Sequence, residues 1–220
     1  MNDVMSGGLH RLWKDQFVDG VAPFPGMRHL DVAGGTGDIA RRILGSLSPT
    51  STSSTSTHVT VFDINEEMLA AGQAAHPGES WPHATLDWVC GNAESLPFPD
   101  ATFDAYTVAF GIRNMTHRHQ ALQEAFRVLK PGGAFHCLEF SKVTTPGLKE
   151  AYDAYSLHVI PRVGKAVAGD AEAYRYLVES IRRFPSPEDF ADEVRAAGFK
   201  GVRFTLMTHG VVAHHVGVKV

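Results

Sequence analysis

Residues 29–40 read HLDVAGGTGDIA: a short apolar run, a glycine-rich turn and the opening of a helical pattern. Glycines in such a turn let the backbone approach a ligand closely, and a turn between strand and helix is where open α/β sheets bind their ligands. Outward from this stretch, strand-like runs recur at 59–63 (VTVFD), 87–91 (DWVCG), 104–110 (DAYTVAF) and 134–140 (AFHCLEF). Helical patterns separate them at 38–44, 66–75 and 119–129, the last closed by Lys130-Pro131-Gly132-Gly133 as a stop signal. This alternation predicts a parallel sheet with crossover helices. After Ser141 the pattern changes to helices at 148–158 and 171–184 with aromatic and basic faces. Ser186 then caps a helix with Pro187 in its first turn, Gly198 ends it, and strand-like pieces at 202–207 and 211–218 lie close enough to form a hairpin. The expected fold class is α/β: one Rossmann-like domain over 1–220, its mostly parallel sheet finished by a C-terminal antiparallel hairpin.

Composition narrows the function classes. The 220 residues are 44% hydrophobic and 20% charged, ordinary for a compact soluble domain, and the formal charge of -4 offers no basic excess for a nucleic-acid backbone. No run reaches the ~18 apolar residues of a membrane span, and 1–12 has neither a signal-peptide nor a transit-peptide composition. Cys90 and Cys137 sit in apolar runs that predict reduced, buried thiols, which fits a reducing compartment. The low-complexity stretch 46–57 (SLSPTSTSSTST) has almost nothing to pack and reads as a surface loop. The 12 histidines, including His117, His119, His209, His214 and His215, show no spacing with three convergent ligands, so no metal is expected.

Two readings of the glycine turn compete. Gly35-Thr36-Gly37-Asp38-Ile39-Ala40 fits the dinucleotide pattern G-x-G-x-x-A, and Asp63 ends the second strand where a ribose carboxylate belongs. Asp38, however, would stand at the helix N-terminus that receives a pyrophosphate, so anion would meet anion. Two acids, Asp31 and Asp38, flank the loop instead, which suits a ligand with a cationic aminoacyl end and no phosphate: S-adenosylmethionine. Ala33, Gly34, Gly35 and Thr36 then form its cradle, and Asp63 accepts both ribose hydroxyls. In Gly91-Asn92-Ala93-Glu94-Ser95-Leu96-Pro97-Phe98, the Asn92 amide and Ala93 backbone are expected to read the adenine edge, with Leu96 or Phe98 facing the ring.

With these residues in place, the chain resembles the UbiE-type S-adenosylmethionine-dependent C-methyltransferases of ubiquinone and menaquinone biosynthesis. The resemblance covers MNDVMSGGLHRLWKD (1–15), LDVAGGTGDIA (30–40), GNAESLPFPDATFD (91–104), FGIRNMT (110–116), RVLKPGG (127–133), LEFSK (138–142), AYDAYSLHVIPRVG (151–164) and YRYLVESIRRFP (174–185). The glycine loop and RVLKPGG are shared by many methyltransferases, whereas FGIRN and the segments after 150 are more specific to quinone methylation. The resemblance implies a class I methyltransferase fold, cofactor contacts from Thr36, Asp63, Asn92 and Ala93, and a polyprenylated quinol substrate. Family members often carry Ser where this chain has Ala109, so Ala109 would meet the cofactor without a hydroxyl. The family usually continues upstream of Met1 with a Tyr-Asp and a helix that helps close the site, and an N-terminal segment is therefore expected to be missing. The insertion at 46–57 looks like the eukaryotic branch, which places the protein on the matrix side of the mitochondrial inner membrane, with the bacterial cytoplasm as the alternative.

Methylation of an aromatic carbon requires a nucleophilic ring, which a quinol supplies, and a protein that orients both partners, stabilises phenolate character and carries off the ring proton. Arg113 and Asn114, just past the fourth strand, are the expected catalytic residues together with Asp63. Arg113 stays protonated, so its expected role is to donate to a quinol oxygen and, with Asn114, to hold a water. Arg113, Tyr155, His158 and Arg162 are the expected substrate contacts, under a helical cover at about 145–187. Tyr152, Tyr155, Leu157, Ile160, Tyr174, Tyr176, Leu177 and Phe184 are candidates for a prenyl groove, and Arg175, Arg182 and Arg183 for a basic face that meets anionic headgroups. A homodimer, a quinone-synthesis assembly and peripheral membrane contact are the expected partners, with no nucleic acid. Methylation of a prenylated benzoquinol is the leading reading; the alternatives are a demethylated menaquinol, a nicotinamide-dependent oxidoreductase, and a catalytically idle scaffold.

Overall fold

In the computed structural model, β1 (Arg28–Val32) buries His29, Leu30, Asp31 and Val32 in succession, as a central parallel strand covered on both faces requires. Residues 8–47, 56–81, 83–142 and 171–220 are described. On one side β1 pairs in parallel with β2 (Thr57–Asp63), and β2 with β3 (Ala84–Cys90). On the other it pairs with β4 (Phe103–Ala109), and β4 with β5 (Leu129–Phe140). β7 (Val212–Val218) runs antiparallel between β5 and β6 (Lys200–Met207), giving the order β3-β2-β1-β4-β5-β7-β6. The order reverses between β1 and β4, so the carboxyl ends of β1, β2 and β4 open a crevice of the kind that holds ligands.

Helices cover both faces. On one, α1 (Leu9–Val21), α2 (Asp38–Ser46) and α3 (Glu66–Ala75) pack Trp13, Phe17, Ile39, Ile43 and Leu69 over Val59, Val61 and Leu138. On the other, α4 (Arg118–Val128) and α6 (Pro187–Ala196) join a core containing Leu30, Tyr106, Phe135, Phe190 and Phe199, while α5 (Ala171–Arg183) buries Leu177 and Val178. Local chemistry sets the boundaries where the sequence placed them: the Asn65 side chain accepts from Met68 N at the start of α3, and Ser186 from Asp189 N, with Pro187 opening α6.

Five differences from the sequence reading have physical causes. α1 was not expected: it starts behind Gly8 with no side-chain cap and no acid in its first turn, and it is fixed by burial of Trp13, Phe17 and Val18. β5 begins at Leu129, so Lys130-Pro131-Gly132-Gly133 both ends α4 and forms an irregular stretch of strand. The pairing jumps there from Phe103↔Leu129 to Ala105↔Ala134, and Gly132 has φ +84. β3 starts earlier, at Ala84, and leaves Gly91 outside. Cys137 is buried, but Cys90, at the end of the edge strand β3, is exposed because among the described residues no strand pairs beyond it. Of the 46–57 loop, Ser46 ends α2 and Thr57 is a buried β2 residue whose Oγ1 accepts from Gly26 N at 2.9 Å, while 48–55 lie outside the described residues. Among the described residues no helix is long and apolar enough to cross a membrane.

Candidate active site

The carboxyl ends of β1, β2 and β4 open into one cavity of about 1020 Å³. It brings together Ala33, Gly34, Gly35, Thr36, Asp63, Asn92, Ala93 and Ala109 with Arg113 and Asn114. At its floor the chain leaves β1 through Ala33 (φ +53), Gly35 (φ +52) and Gly37 (φ +78), a turn closed by Gly37 N donating to Gly34 O at 2.8 Å. There is no space for side chains here: a Cβ on Gly34 would lie 2.7 Å from Val61 Cγ1 and 2.9 Å from Asp31 Oδ2, and one on Gly37 would lie 2.6 Å from Trp88 Cη2.

Asp63, at the end of β2, is locked by two backbone donors: Gly35 N to Oδ2 at 2.8 Å and Asn65 N to Oδ1 at 2.9 Å. Each carboxylate oxygen keeps a lone pair for a further donor. Past β3, Asn92 lines the cavity while its side-chain oxygen accepts from Glu94 N at 3.0 Å, as a turn residue does. Leu96 and Phe98 do not face the cavity as expected. Leu96 is buried in the core, and Phe98 packs edge-on against Phe62 and Phe103, because both point back beneath the sheet. The apolar surface at this end comes instead from Phe62, Ile64 and Met68, of which Ile64 is 72% exposed and Met68 43%. Their signal was available: two large apolar side chains with little to pack on, one beside Asp63 and one in the following helical turn.

The opposite rim is built from side chains. After β4, Phe110 takes φ +58, and Gly111 presses on the glycine turn so closely that a Cβ would lie 2.3 Å from that of Ala33. One 3-10 turn, Ile112–Asn114, follows. Arg113 Nη1 donates to Glu139 Oε1 at 2.9 Å and to the Phe110 carbonyl, and the Arg113 guanidinium lies over the Phe140 ring at 5.5 Å. Glu139, only 1% exposed, also accepts from Phe140 N at 2.8 Å and, at 3.4 Å, from Arg113 N. Burial pushes its carboxyl above the ordinary range, and the Arg113 charge opposes that shift. The sequence reading gave Glu139 no role, although an acid inside the apolar run AFHCLEF was a sign that it has a buried partner. Asn114 Oδ1 accepts from Tyr176 Oη at 3.4 Å, which ties this rim to α5.

The two acids flanking the glycine turn differ. Asp31 is fully buried; its Oδ1 accepts from Thr107 Oγ1 at 2.8 Å, and Thr107 also bonds His29 Nε2 at 2.8 Å. Asp31 is among the residues lining the cavity, its buried Oδ2 has no hydrogen-bond partner among the described residues, and burial pushes the carboxyl up to about 7. Burial lowers His29 to about 3, so the ring stays neutral. Asp38 was expected to offer a second free carboxylate to a cationic ligand, and it does not. Lys14 Nζ holds one oxygen at 2.7 Å and Arg42 Nε the other at 2.9 Å. Lys14, from α1, is a further cavity residue to which the sequence reading gave no role.

Tyr155, His158 and Arg162, with Tyr152, Leu157, Ile160 and the helix expected at 148–158, lie outside the described residues. Most of the cover expected at 145–187, and the side chain of Tyr174, lie outside them as well. Within α5, Tyr176 and Leu177 line the cavity, whereas Phe184, just past its end, belongs to the core, its ring 5.1 Å from that of Phe190. Arg175, Arg182 and Arg183 are exposed. Of the histidines singled out, His117 lines the cavity and pairs with Glu94 at 2.8 Å, while His214 pairs with His136 at 3.1 Å and His215 with the Pro187 carbonyl at 2.9 Å, away from it.

These features fit an adenosyl ligand with a zwitterionic head: an unpartnered buried carboxylate oxygen on Asp31, a cradle at Gly34 that a Cβ would fill, and spare acceptors on Asp63. The comparisons with known proteins agree. The model of the ubiE/COQ5 methyltransferase family matches residues 1–219. The chain is 54% identical to the "Ubiquinone/menaquinone biosynthesis C-methyltransferase UbiE" of Methylobacterium nodulans, over all of this chain and 85% of that protein. It is 52% identical to the "2-methoxy-6-polyprenyl-1,4-benzoquinol methylase, mitochondrial" of Oryza sativa, over all of this chain and 78% of that one. In fold it resembles a "SAM dependent methyltransferase from Aquifex aeolicus" with a TM-score of 0.62 and 15% identity, covering 94% of this chain and 89% of the other.

Proposed function

Because the chain belongs to the ubiE/COQ5 methyltransferase family, we propose that it methylates a ring carbon of 2-methoxy-6-polyprenyl-1,4-benzoquinol in ubiquinone biosynthesis, using S-adenosylmethionine. The observation that carries this reading is the single cavity that joins the glycine cradle and Asp63 to the Arg113–Asn114 rim. The rice relative's name supports the benzoquinol ring.

When bound, S-adenosylmethionine supplies an electrophilic sulfonium methyl. The residues of this chain do the rest. Asp31 Oδ2 accepts from the aminoacyl ammonium, the spare lone pairs of Asp63 accept the ribose hydroxyls, and Asn92 with the Ala93 backbone reads the adenine edge between Ile64 and Met68. Ala33, Gly34, Gly35, Thr36 and Ala109 keep side chains out of its path. At the other rim Arg113 and Asn114 hold the quinol oxygen whose lone pair activates the ring. As the new carbon–carbon bond forms, the methyl–sulfur bond would break with its electron pair left on sulfur and the quinol oxyanion would become a carbonyl; the ring carbon would then give up its proton, returning the pair to the oxygen. Arg113 cannot take that proton, because guanidinium stays charged; it holds, with Asn114, the water that does. Tyr155, His158 and Arg162 complete the substrate contacts, within one methyltransferase domain spanning 1–220 whose segment at 145–187 covers the site.

The exposed Arg175, Arg182 and Arg183 offer a basic face to anionic headgroups, consistent with a substrate that resides in a membrane. We place the protein in the mitochondrion, in line with the mitochondrial relatives, and propose that it acts on the matrix side of the inner membrane as a homodimer within a quinone-synthesis assembly. The test offers S-adenosylmethionine with equal amounts of a short-chain demethylated benzoquinol and a demethylated naphthoquinol under reducing conditions, with added methyl read by mass spectrometry. Benzoquinol methylation is expected. Naphthoquinol methylation instead would move the protein to menaquinone synthesis, the other activity in the Methylobacterium relative's name.

A further inference from the structure

Among the described residues, three basic side chains line the cavity: Lys14, Arg113 and His117. Two are committed at the β4 rim. Arg113 is paired with the buried Glu139, and His117 gives both its backbone N–H and its ring Nδ1 to Glu94, each at 2.8 Å. Lys14 stands at the other end, beside Asp38, the first residue of α2, and directly after the glycine turn. Its position is fixed by its neighbours: Trp13 Nε1 donates to Thr208 Oγ1 at 2.8 Å, and Phe17 is fully buried.

The Lys14–Asp38 pair does not account for a lysine in this place. Asp38 is 44% exposed and already has a second cation, Arg42, on its other oxygen, so a further partner adds little. Lys14, only 8% exposed, gives up the hydration and rotamer freedom that keep most lysines at the surface. An ammonium has three donors, and Asp38 engages one. Asp31, whose unpartnered oxygen suits an ammonium, lines the same cavity. A ligand that carries an ammonium on its α-carbon carries a carboxylate on the same carbon, and that anion needs donors of its own.

We propose that Lys14 recognises the α-carboxylate of the cofactor, making α1 part of the cofactor site and giving the protein a preference for adenosyl sulfonium compounds that bear the whole amino-acid head. This rests on the S-adenosylmethionine reading but not on the identity of the quinol.

The test is calorimetric binding of S-adenosylmethionine and of its decarboxylated analogue, which keeps the adenosine, the sulfonium and an amine but lacks the carboxylate. Wild-type protein is compared with Lys14→Gln, Lys14→Arg and Asp38→Asn. Lys14→Gln is expected to weaken S-adenosylmethionine by about 10- to 100-fold, the range for a lost charge-assisted hydrogen bond. The analogue should change by less than about twofold, so that the preference collapses. Lys14→Arg should keep most of the preference, and Asp38→Asn should keep all of it, since it leaves Lys14 in place. Equal weakening of both ligands would reduce Lys14 to a structural role and overturn the proposal, as would an unchanged preference in Lys14→Gln. If Lys14→Gln does not fold, loss of the preference in Asp38→Asn overturns the proposal and its retention supports it. Failure of wild-type protein to bind either ligand would overturn the cofactor reading and this proposal with it. Tight cofactor binding without methylation of either quinol would leave the proposal standing and remove only the substrate assignment.

Discussion

The two ends of the cavity are built from different materials. At the β1–β2 end the site is backbone: positive-φ turns, N–H groups aimed at Asp63, and glycines with no room for a Cβ. At the β4–β5 end it is side chain: a guanidinium held by a buried carboxylate and an aromatic face. Backbone donors are placed by the fold and suit a ligand part that does not react. Paired side chains place a fixed positive charge at the quinol oxygen, whose ionised form drives the attack of the ring. The contrast implies a division of labour, with affinity at one end and turnover at the other.

The sharpest way to break that division is Arg113→Ala. Turnover should fall by about 100- to 1000-fold, the usual cost of removing one donor to an oxyanion, with cofactor affinity unchanged. A calorimetric titration beside a steady-state assay separates the two, and a matching loss of affinity would erase the distinction. Asp63→Asn is the reciprocal test. Its amide N–H₂ would face the Gly35 or Asn65 N–H, so cofactor affinity should drop by about 10- to 100-fold, while turnover at saturating cofactor stays close to wild type. Glu139→Gln sharpens the comparison, because Glu139 lies outside the cavity lining and acts by positioning Arg113. Turnover should fall about tenfold with cofactor affinity intact, and Glu139→Asp should restore less than half of it because the shorter side chain cannot reach both Arg113 N–H groups.

Asp31→Asn gives the smallest effect and a pH signature. Its folded carboxyl, near 7, lies above the ordinary 3.8, so the folded state holds a proton that the unfolded chain releases. Its contribution to stability is therefore full below about pH 4 and is lost as pH rises through 7. At pH 8 the variant without ligand should melt a few degrees higher than wild type, while S-adenosylmethionine should stabilise it less. Melting curves at pH 5 and pH 8 check this, and an equal difference at both would detach Asp31 from the effect.

The same contrast explains what the sequence disclosed. The glycine turn, Asp63 and the alternation of strands and helices were legible because turns, caps and strand ends are local chemistry, each written within a few residues of its own place in the sequence. Glu139 was not, because its partner Arg113 is 26 residues away and the contact depends on β4 and β5 lying in register. Lys14 was hidden for a related reason: its helix has no cap to announce it, and its salt bridge joins two helices that only the tertiary fold brings together. Leu96 and Phe98 misled because apolar residues near a ligand loop serve either the ligand or the core, and their spacing does not distinguish the two.

Cofactor binding and methyl transfer thus belong to opposite ends of one cavity. Single-turnover transfer of an isotopically labelled methyl to a short-chain demethylated benzoquinol, at saturating cofactor, tests it in wild type, Asp63→Asn and Arg113→Ala side by side. The division predicts near-wild-type transfer by Asp63→Asn and almost none by Arg113→Ala. Equal transfer by the two variants, or loss in Asp63→Asn alone, would contradict it.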